Sequence, residues 1–243
     1  LRAAWLRGKF VGGRGYRRVI TDLKGDITMT DTDKTLIAAL LDRSGSMQTI
    51  ADDMRGGFDS FIAAERGQPG TTLVTLAQFD DRYDVVYQNV PIDAVPSLGL
   101  EPRGMTALLD ALGRFVTEVG DGLAALPEDE RPGEVTVLVM TDGYENASAE
   151  WTVEAVRALI AQQESVYEWD FVFLGANMDA VEVGEKLGFA PGKSLTYDAD
   201  GDAVAGAWDA VSNYTSRKRS RGVQPVASLA FSQTERQGAR KRG

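Results

Sequence analysis

Leu36-Ile37-Ala38-Ala39-Leu40-Leu41-Asp42-Arg43-Ser44-Gly45-Ser46 is the stretch on which the reading of this chain turns. Its first six residues are a short, continuous apolar run. Such a run reads as a strand buried on both faces, as in a parallel sheet covered by helices. Asp-x-Ser-x-Ser follows where that strand should end. In open α/β sheets, ligands bind outside the carboxyl ends of the strands. A carboxylate and two hydroxyls at that place offer only hard oxygen donors, which suit Mg²⁺, Ca²⁺ or Mn²⁺. Serine and aspartate also cap helices and shape turns, so the pentapeptide alone is equally compatible with a cap on a helix starting near Ile50.

Outward from that stretch, the chain alternates in a regular way. Met54, Phe58, Phe61 and Ile62 share one helical face, and Gln68-Pro69-Gly70 stops that helix. Residues 71–79 alternate strand formers, Asp80-Asp81 turns, and residues 83–90 return. So short a connection means an antiparallel hairpin, which on a mostly parallel sheet belongs at an edge. A long connection then leads to Arg103-Gly104-Met105-Thr106. The helix after it buries Leu108, Leu112, Phe115, Val116 and Val119. Thr106 thus stands at a helix N-terminus, where its hydroxyl caps the helix or reaches a ligand.

Residues 135–140 form a second buried strand, and Thr141-Asp142-Gly143 ends it. Further helices are expected over 151–163, 179–187 and 202–214, with strands over 169–174 and 194–197. Gly188 closes the middle helix of these three. Strands alternating with helices predict an α/β, Rossmann-like, doubly wound fold. Its sheet is mostly parallel with one antiparallel edge strand, and helices cover both faces.

Composition narrows the chemistry. The 243 residues include no cysteine and no histidine. Disulfides, the usual zinc sites, and histidine- or cysteine-based catalysis are therefore excluded. Any metal must be held by oxygen. No apolar stretch is long enough to span a membrane, and no signal-peptide pattern follows the basic start, so the expectation is a soluble, cytoplasmic protein with no membrane partner.

The net charge of −10 hides an asymmetry. Residues 31–216 hold 33 acidic and 11 basic side chains, residues 1–30 hold 2 and 7, and residues 217–243 hold 1 and 8. The acidic centre repels nucleic acid, leaving only the basic ends for such contacts. Those ends either bind acidic partners or fold back on the core. Residues 31–216 read as one domain, and residues 217–243 as a disordered basic tail. Residues 1–30 read as a basic arm with no persistent period. Met29 looks like a natural start, which makes residues 1–28 an over-extended gene start; a disordered arm is the alternative.

Asp42, Ser44, Ser46, Thr106 and Asp142 all map to one edge of the expected sheet. Two carboxylates balance a divalent cation, and neutral hydroxyls leave it electrophilic. Asp42-x-Ser44-x-Ser46, then Thr106 in a Gly-x-Thr-Ala-Leu context, then Thr141-Asp142-Gly143 resemble the metal-ion-dependent adhesion site (MIDAS) of a von Willebrand factor A (vWA) domain. The resemblance covers about residues 34–215. Asp-Arg-Ser-Gly-Ser-Met and Thr-Asp-Gly-x-Glu-Asn are similar to forms of its bacterial and phage intracellular branch.

The resemblance implies that Ser44, Ser46 and Thr106 coordinate Mg²⁺, with Mn²⁺ or Ca²⁺ as alternatives. Asp42 and Asp142 act directly or through water. A further position takes a Glu or Asp from a partner protein, which in this branch is often an ATPase or a larger assembly. Met105 departs from the pattern, because a second glycine is common there, and it stiffens the Thr106 loop. Glu145 and Asn146 are candidates for outer partners. Asp80-Asp81 reads as turn chemistry. Asp198-Ala199-Asp200-Gly201-Asp202 is no calcium loop, since Asp209 stands where glutamate is needed.

The expected function is therefore a metal-dependent protein-interaction module and not an enzyme. Two alternatives stay open: a metal-dependent phosphatase or hydrolase, disfavoured by the lack of a spare general base, and a structural subunit that does not use the metal.

Overall fold

The computed structural model describes residues 4–6, 17–21, 27–28, 30–220 and 225–240. Most of the expected N-terminal basic arm, and with it the reading of residues 1–28, lies outside the described residues. The parts described there are three short strands, β1 (Ala4–Leu6), β2 (Arg17–Thr21) and β3 (Ile27–Thr28), paired antiparallel in that order.

The main sheet has six strands. β4 (Asp31–Asp42) lies in its interior, flanked in parallel by β5 (Thr71–Phe79) and β7 (Pro132–Thr141). β6 (Tyr83–Pro91) pairs antiparallel with β5 at one edge. Beyond β7 come β8 (Asp170–Ala176) and β9 (Ser194–Tyr197), both parallel. The order is β6-β5-β4-β7-β8-β9. The expected fold class, one antiparallel edge strand included, is the observed one.

The continuous apolar run of β4 has a direct cause. Ile37, Ala39 and Leu41 point to one face, and Leu36, Ala38 and Leu40 to the other. Each face is covered, so neither set is polar. The first face packs on α1 (Ala51–Arg66) and α5 (Gly201–Ser220), where Trp208 lies 5.6 Å from both Phe58 and Phe61. The second packs on α2 (Leu108–Ala124), α3 (Val153–Tyr167) and α4 (Ala180–Leu187). With all strands but β6 parallel, the carboxyl ends of β4, β5 and β7 share one edge, and three loops leave from it side by side. Among the described residues no helix is long and apolar enough to cross a membrane.

The C-terminal part departs from expectation. α5 continues past residue 214 to Ser220, and residues 225–240, expected as a disordered tail, pack against the domain. A short helix, α6 (Gln233–Gly238), starts with a capping box between Ser232 and Glu235. Phe231 and Ala239 are buried, and Phe231 lies 5.3 Å from Tyr214. The physical reason is charge. Arg217, Lys218 and Arg219, read as the start of a basic tail, each meet a different acid: Glu235, Asp170 and Glu65. The basic end folds back on the acidic centre.

Candidate metal centre

Three loops at the carboxyl edge build the site. The first follows β4. Asp42, its last residue, is fully buried. One carboxylate oxygen accepts the Ser44 N–H at 2.6 Å, and the other accepts the Thr141 hydroxyl at 2.5 Å. These two bonds fix its rotamer and tie the end of β4 to the end of β7. The turn after it places the Ser44 and Ser46 hydroxyls 3.1 Å apart. Met47 then buries its side chain in the core and anchors the turn from below.

The third loop follows β7. Asp142 accepts the Ser46 hydroxyl at 2.7 Å, so the first and third loops meet there. Thr106, in the connection from β6 to α2, is buried beside them. A Cβ built on Gly143 would lie 2.9 Å from the Thr106 hydroxyl and 3.7 Å from that of Ser46. Gly143 thus leaves open a small space bordered by hydroxyl oxygens. The structure brings all five predicted residues, Asp42, Ser44, Ser46, Thr106 and Asp142, to one place.

The electrostatics fit a cation. Burial pushes the Asp42 carboxyl up to about 6, against the lowering effect of its hydrogen bonds from Thr141 and Ser44. Burial also raises Asp142, while the Ser46 hydroxyl pulls it down. A buried and a partly buried carboxylate, with no cationic side chain bonded to them among the described residues, favour a bound positive charge. Beneath them Tyr197 is fully buried, and its hydroxyl lies 3.5 Å from the Thr141 carbonyl. Burial first, and then the charges of Asp142 and Asp42, keep that phenol protonated.

Among the described residues no group of three or more Asp, Glu, His or Cys side chains is placed to hold a metal ion. The site has two carboxylates, and its other donors are hydroxyls. The Ser44, Ser46 and Asp142 oxygens are hydrogen-bonded to one another at lengths that also fit neighbouring ligands on one small ion. In an octahedral shell with oxygen at about 2.0–2.1 Å, adjacent oxygens lie about 3 Å apart. The Ser44–Ser46 and Ser46–Asp142 separations, 3.1 and 2.7 Å, match such edges.

Several residues outside the predicted set hold it in place. Asn146, expected as an outer partner, accepts the Thr106 N–H at 2.9 Å, and its own N–H donates to the Thr106 carbonyl at 3.0 Å. Glu145 accepts the Leu109 N–H at the start of α2 and the Ser148 hydroxyl. Asp110 accepts the N–H groups of Ala149, Glu150 and Trp151. Thr141 stands inside the quoted Thr-Asp-Gly motif, yet its role toward Asp42 was not legible, because it depends on strand register. Asp80, read as turn chemistry, is also more than that: its buried carboxylate accepts from Arg43 and Arg103.

No family model matches the chain, and no curated protein matches it in sequence. Solved structures match it in fold. A von Willebrand factor type A protein from Catenulispora acidiphila has a TM-score of 0.50 and 15% identity, over 78% of this chain and 44% of that one. Proximal thread matrix protein 1 from the mussel byssus, solved with a zinc-occupied MIDAS motif, has a TM-score of 0.52 and 17% identity, over 75% and 46%. The vWF domain of the type V pili tip protein Mfa5 from Porphyromonas gingivalis has a TM-score of 0.54 and 10% identity, over 80% and 97%. The chain spans under half of the first two and nearly all of the third. What these likenesses share with the six-stranded sheet described above is its architecture: the chain has a vWA fold.

Proposed function

We propose that this edge of the sheet holds a divalent cation, Mg²⁺ by preference and Mn²⁺ or Ca²⁺ otherwise, and that the cation binds an acidic side chain of a protein partner. The observation that carries the reading is the convergence of Ser44, Ser46 and Asp142 oxygens at ligand-edge spacing, with Thr106 bordering the same space. Ser44, Ser46 and Thr106 would supply neutral oxygens, and Asp42 and Asp142 the negative charge. Oxygen-only donors suit hard cations and lack the nitrogen or sulfur that zinc prefers. When bound, the cation supplies an electrophilic position for a carboxylate. The chain's own residues orient it: Asp42 is fixed by Ser44 and Thr141, and Thr106 by Asn146.

The reading assigns the site no catalytic role. Both carboxylates are engaged within the ligand set, which leaves no spare general base in it. Support for an interaction role comes from the fold shared with a pilus tip domain and a thread matrix protein.

Titration calorimetry of Mg²⁺ and Mn²⁺ into metal-free protein tests the proposal, with Asp42→Ala alongside. Saturable binding that the variant loses is the expected result. Absence of binding in the wild type, or equal binding in the variant, overturns it.

A further inference from the structure

Asp80 directly follows β5, the strand beside the one that carries Asp42. It is not one of the proposed ligands, and it is fully buried. Its Oδ2 accepts Arg43 Nε at 3.0 Å and Arg103 Nε at 2.8 Å, and its Oδ1 accepts the Arg82 N–H at 2.7 Å. Its carbonyl accepts the Ala107 N–H at 2.9 Å. Arg43 lies between Asp42 and Ser44. Arg103 begins the short turn to Thr106, and Ala107 directly follows that threonine. One side chain and its carbonyl therefore hold both flanks of the ligand set.

The two loops also bond to each other around Asp80. The Arg103 N–H donates to the Arg43 carbonyl at 2.8 Å, and the Gly45 N–H to the Gly104 carbonyl at 3.3 Å. Gly104 has a φ of +69°, and a Cβ there would lie 2.1 Å from Asp81 Oδ1. Charge adds a second effect. Two guanidinium groups beside a cation site repel the cation. Asp80 offsets them together with Asp84, which pairs with Arg43 and lies 3.6 Å from Arg103.

We propose that Asp80 is the positioning residue of the metal centre, holding the Asp42–Ser46 turn and the Thr106 turn in one frame and neutralising the arginines beside them. This rests on the reading of the site as a metal centre. Asp80 touches no metal, so its effect passes through the two loops and through the local field.

The test is Mg²⁺ titration calorimetry on the full chain for wild type, Asp80→Asn and Arg103→Ala, with thermal unfolding of each metal-free protein. Asp80→Asn should weaken Mg²⁺ binding by about tenfold, the low end for outer partners at metal sites. Arg103, half exposed, loosens one arm of the clamp without emptying the core. Arg103→Ala should melt close to wild type and still bind Mg²⁺ more weakly, because the guanidinium it removes is half exposed and its repulsion of the cation is screened by water, whereas the freed Thr106 turn loses its tie to Asp80. A merely structural tie would lower the melting temperature and leave the affinity of the folded protein alone. Unchanged affinity in the folded variants overturns the proposal, and Arg103→Ala decides alone if Asp80→Asn does not fold. A wild type that does not bind Mg²⁺ overturns the metal reading and this role with it, whereas binding shared equally by all three proteins overturns only the role of Asp80.

Discussion

Asp170 opens β8 at the end of the sheet away from the site, and it has no exposure to solvent. Its carboxylate lies 2.7 Å from the Lys193 ammonium and 3.5 Å from that of Lys218, and the Tyr214 hydroxyl lies 3.0 Å from both oxygens. A buried charge of this kind is held only by its partners, and removing one leaves the others uncompensated. Asp170→Asn replaces an acceptor between two ammonium groups with a neutral amide. We expect it to destabilise the fold by about 3–5 kcal/mol, read as a lower urea midpoint with an unchanged slope. A loss under about 1 kcal/mol, the range of an exposed pair, would show that water already screens this cluster. The sequence marks Asp170 only as the edge of a strand. Its partners come from the turn before β9 and the C-terminal half of α5, and one-dimensional spacing carries no sign of either. The proposed ligand residues were legible for the opposite reason: each sits at the end of a strongly apolar strand or at a helix start, where composition changes abruptly.

At the scale of elements, the strands and helices of the core could be read from period and run length, because each buries a continuous stripe. The C-terminal segment could not. It carries few apolar residues, and its binding energy is divided among polar contacts from several elements. The Phe231 N–H donates to the Gly192 carbonyl at 2.8 Å, and the Asp198 N–H to the Ala239 carbonyl at 3.0 Å. Arg236 reaches the Ser194 carbonyl at 2.8 Å, and Arg240 pairs with Asp198 at 3.1 Å. Together these contacts cover the end and outer edge of β9. Edge strands present unpaired backbone groups, and covering them prevents pairing with other chains. Its buried aromatic anchor is Phe231, with Leu229 partly packed against the same core. Phe231→Ala should cost about 3 kcal/mol, the lower end for phenylalanine truncation, since the site lies near the surface. The loss should appear first as faster amide exchange at Asp198 and Ala239. Exchange at those amides that matches wild type would mean the polar contacts hold the segment without the ring.

For the whole molecule, the proposed metal centre and folding stability are linked through protons. The Asp42 carboxyl is raised from 3.8 to about 6 by burial, so the metal-free folded state holds its proton more tightly than the unfolded chain does. The sign follows from that difference. Stability from the protonated group is complete below about pH 4 and is lost as pH rises through about 6. A shift of this size corresponds to a loss on the order of 3 kcal/mol. A bound cation reverses the balance, because it needs the ionised carboxylate and is displaced by the proton. Binding to the folded state alone stabilises by RT ln(1 + [L]/Kd). Mg²⁺ should therefore raise the melting temperature at about pH 7.5 and have little effect at about pH 5. Without metal, Asp42→Asn should remove most of the fall in stability between those values, since asparagine has no proton to lose. Differential scanning calorimetry across that range, with and without Mg²⁺, measures both effects. A Mg²⁺ shift of equal size at both pH values would place the cation away from Asp42, on the acidic surface of residues 31–216. A shift confined to the higher pH and absent from the variant would tie the cation, the proton and the fold to this one carboxylate.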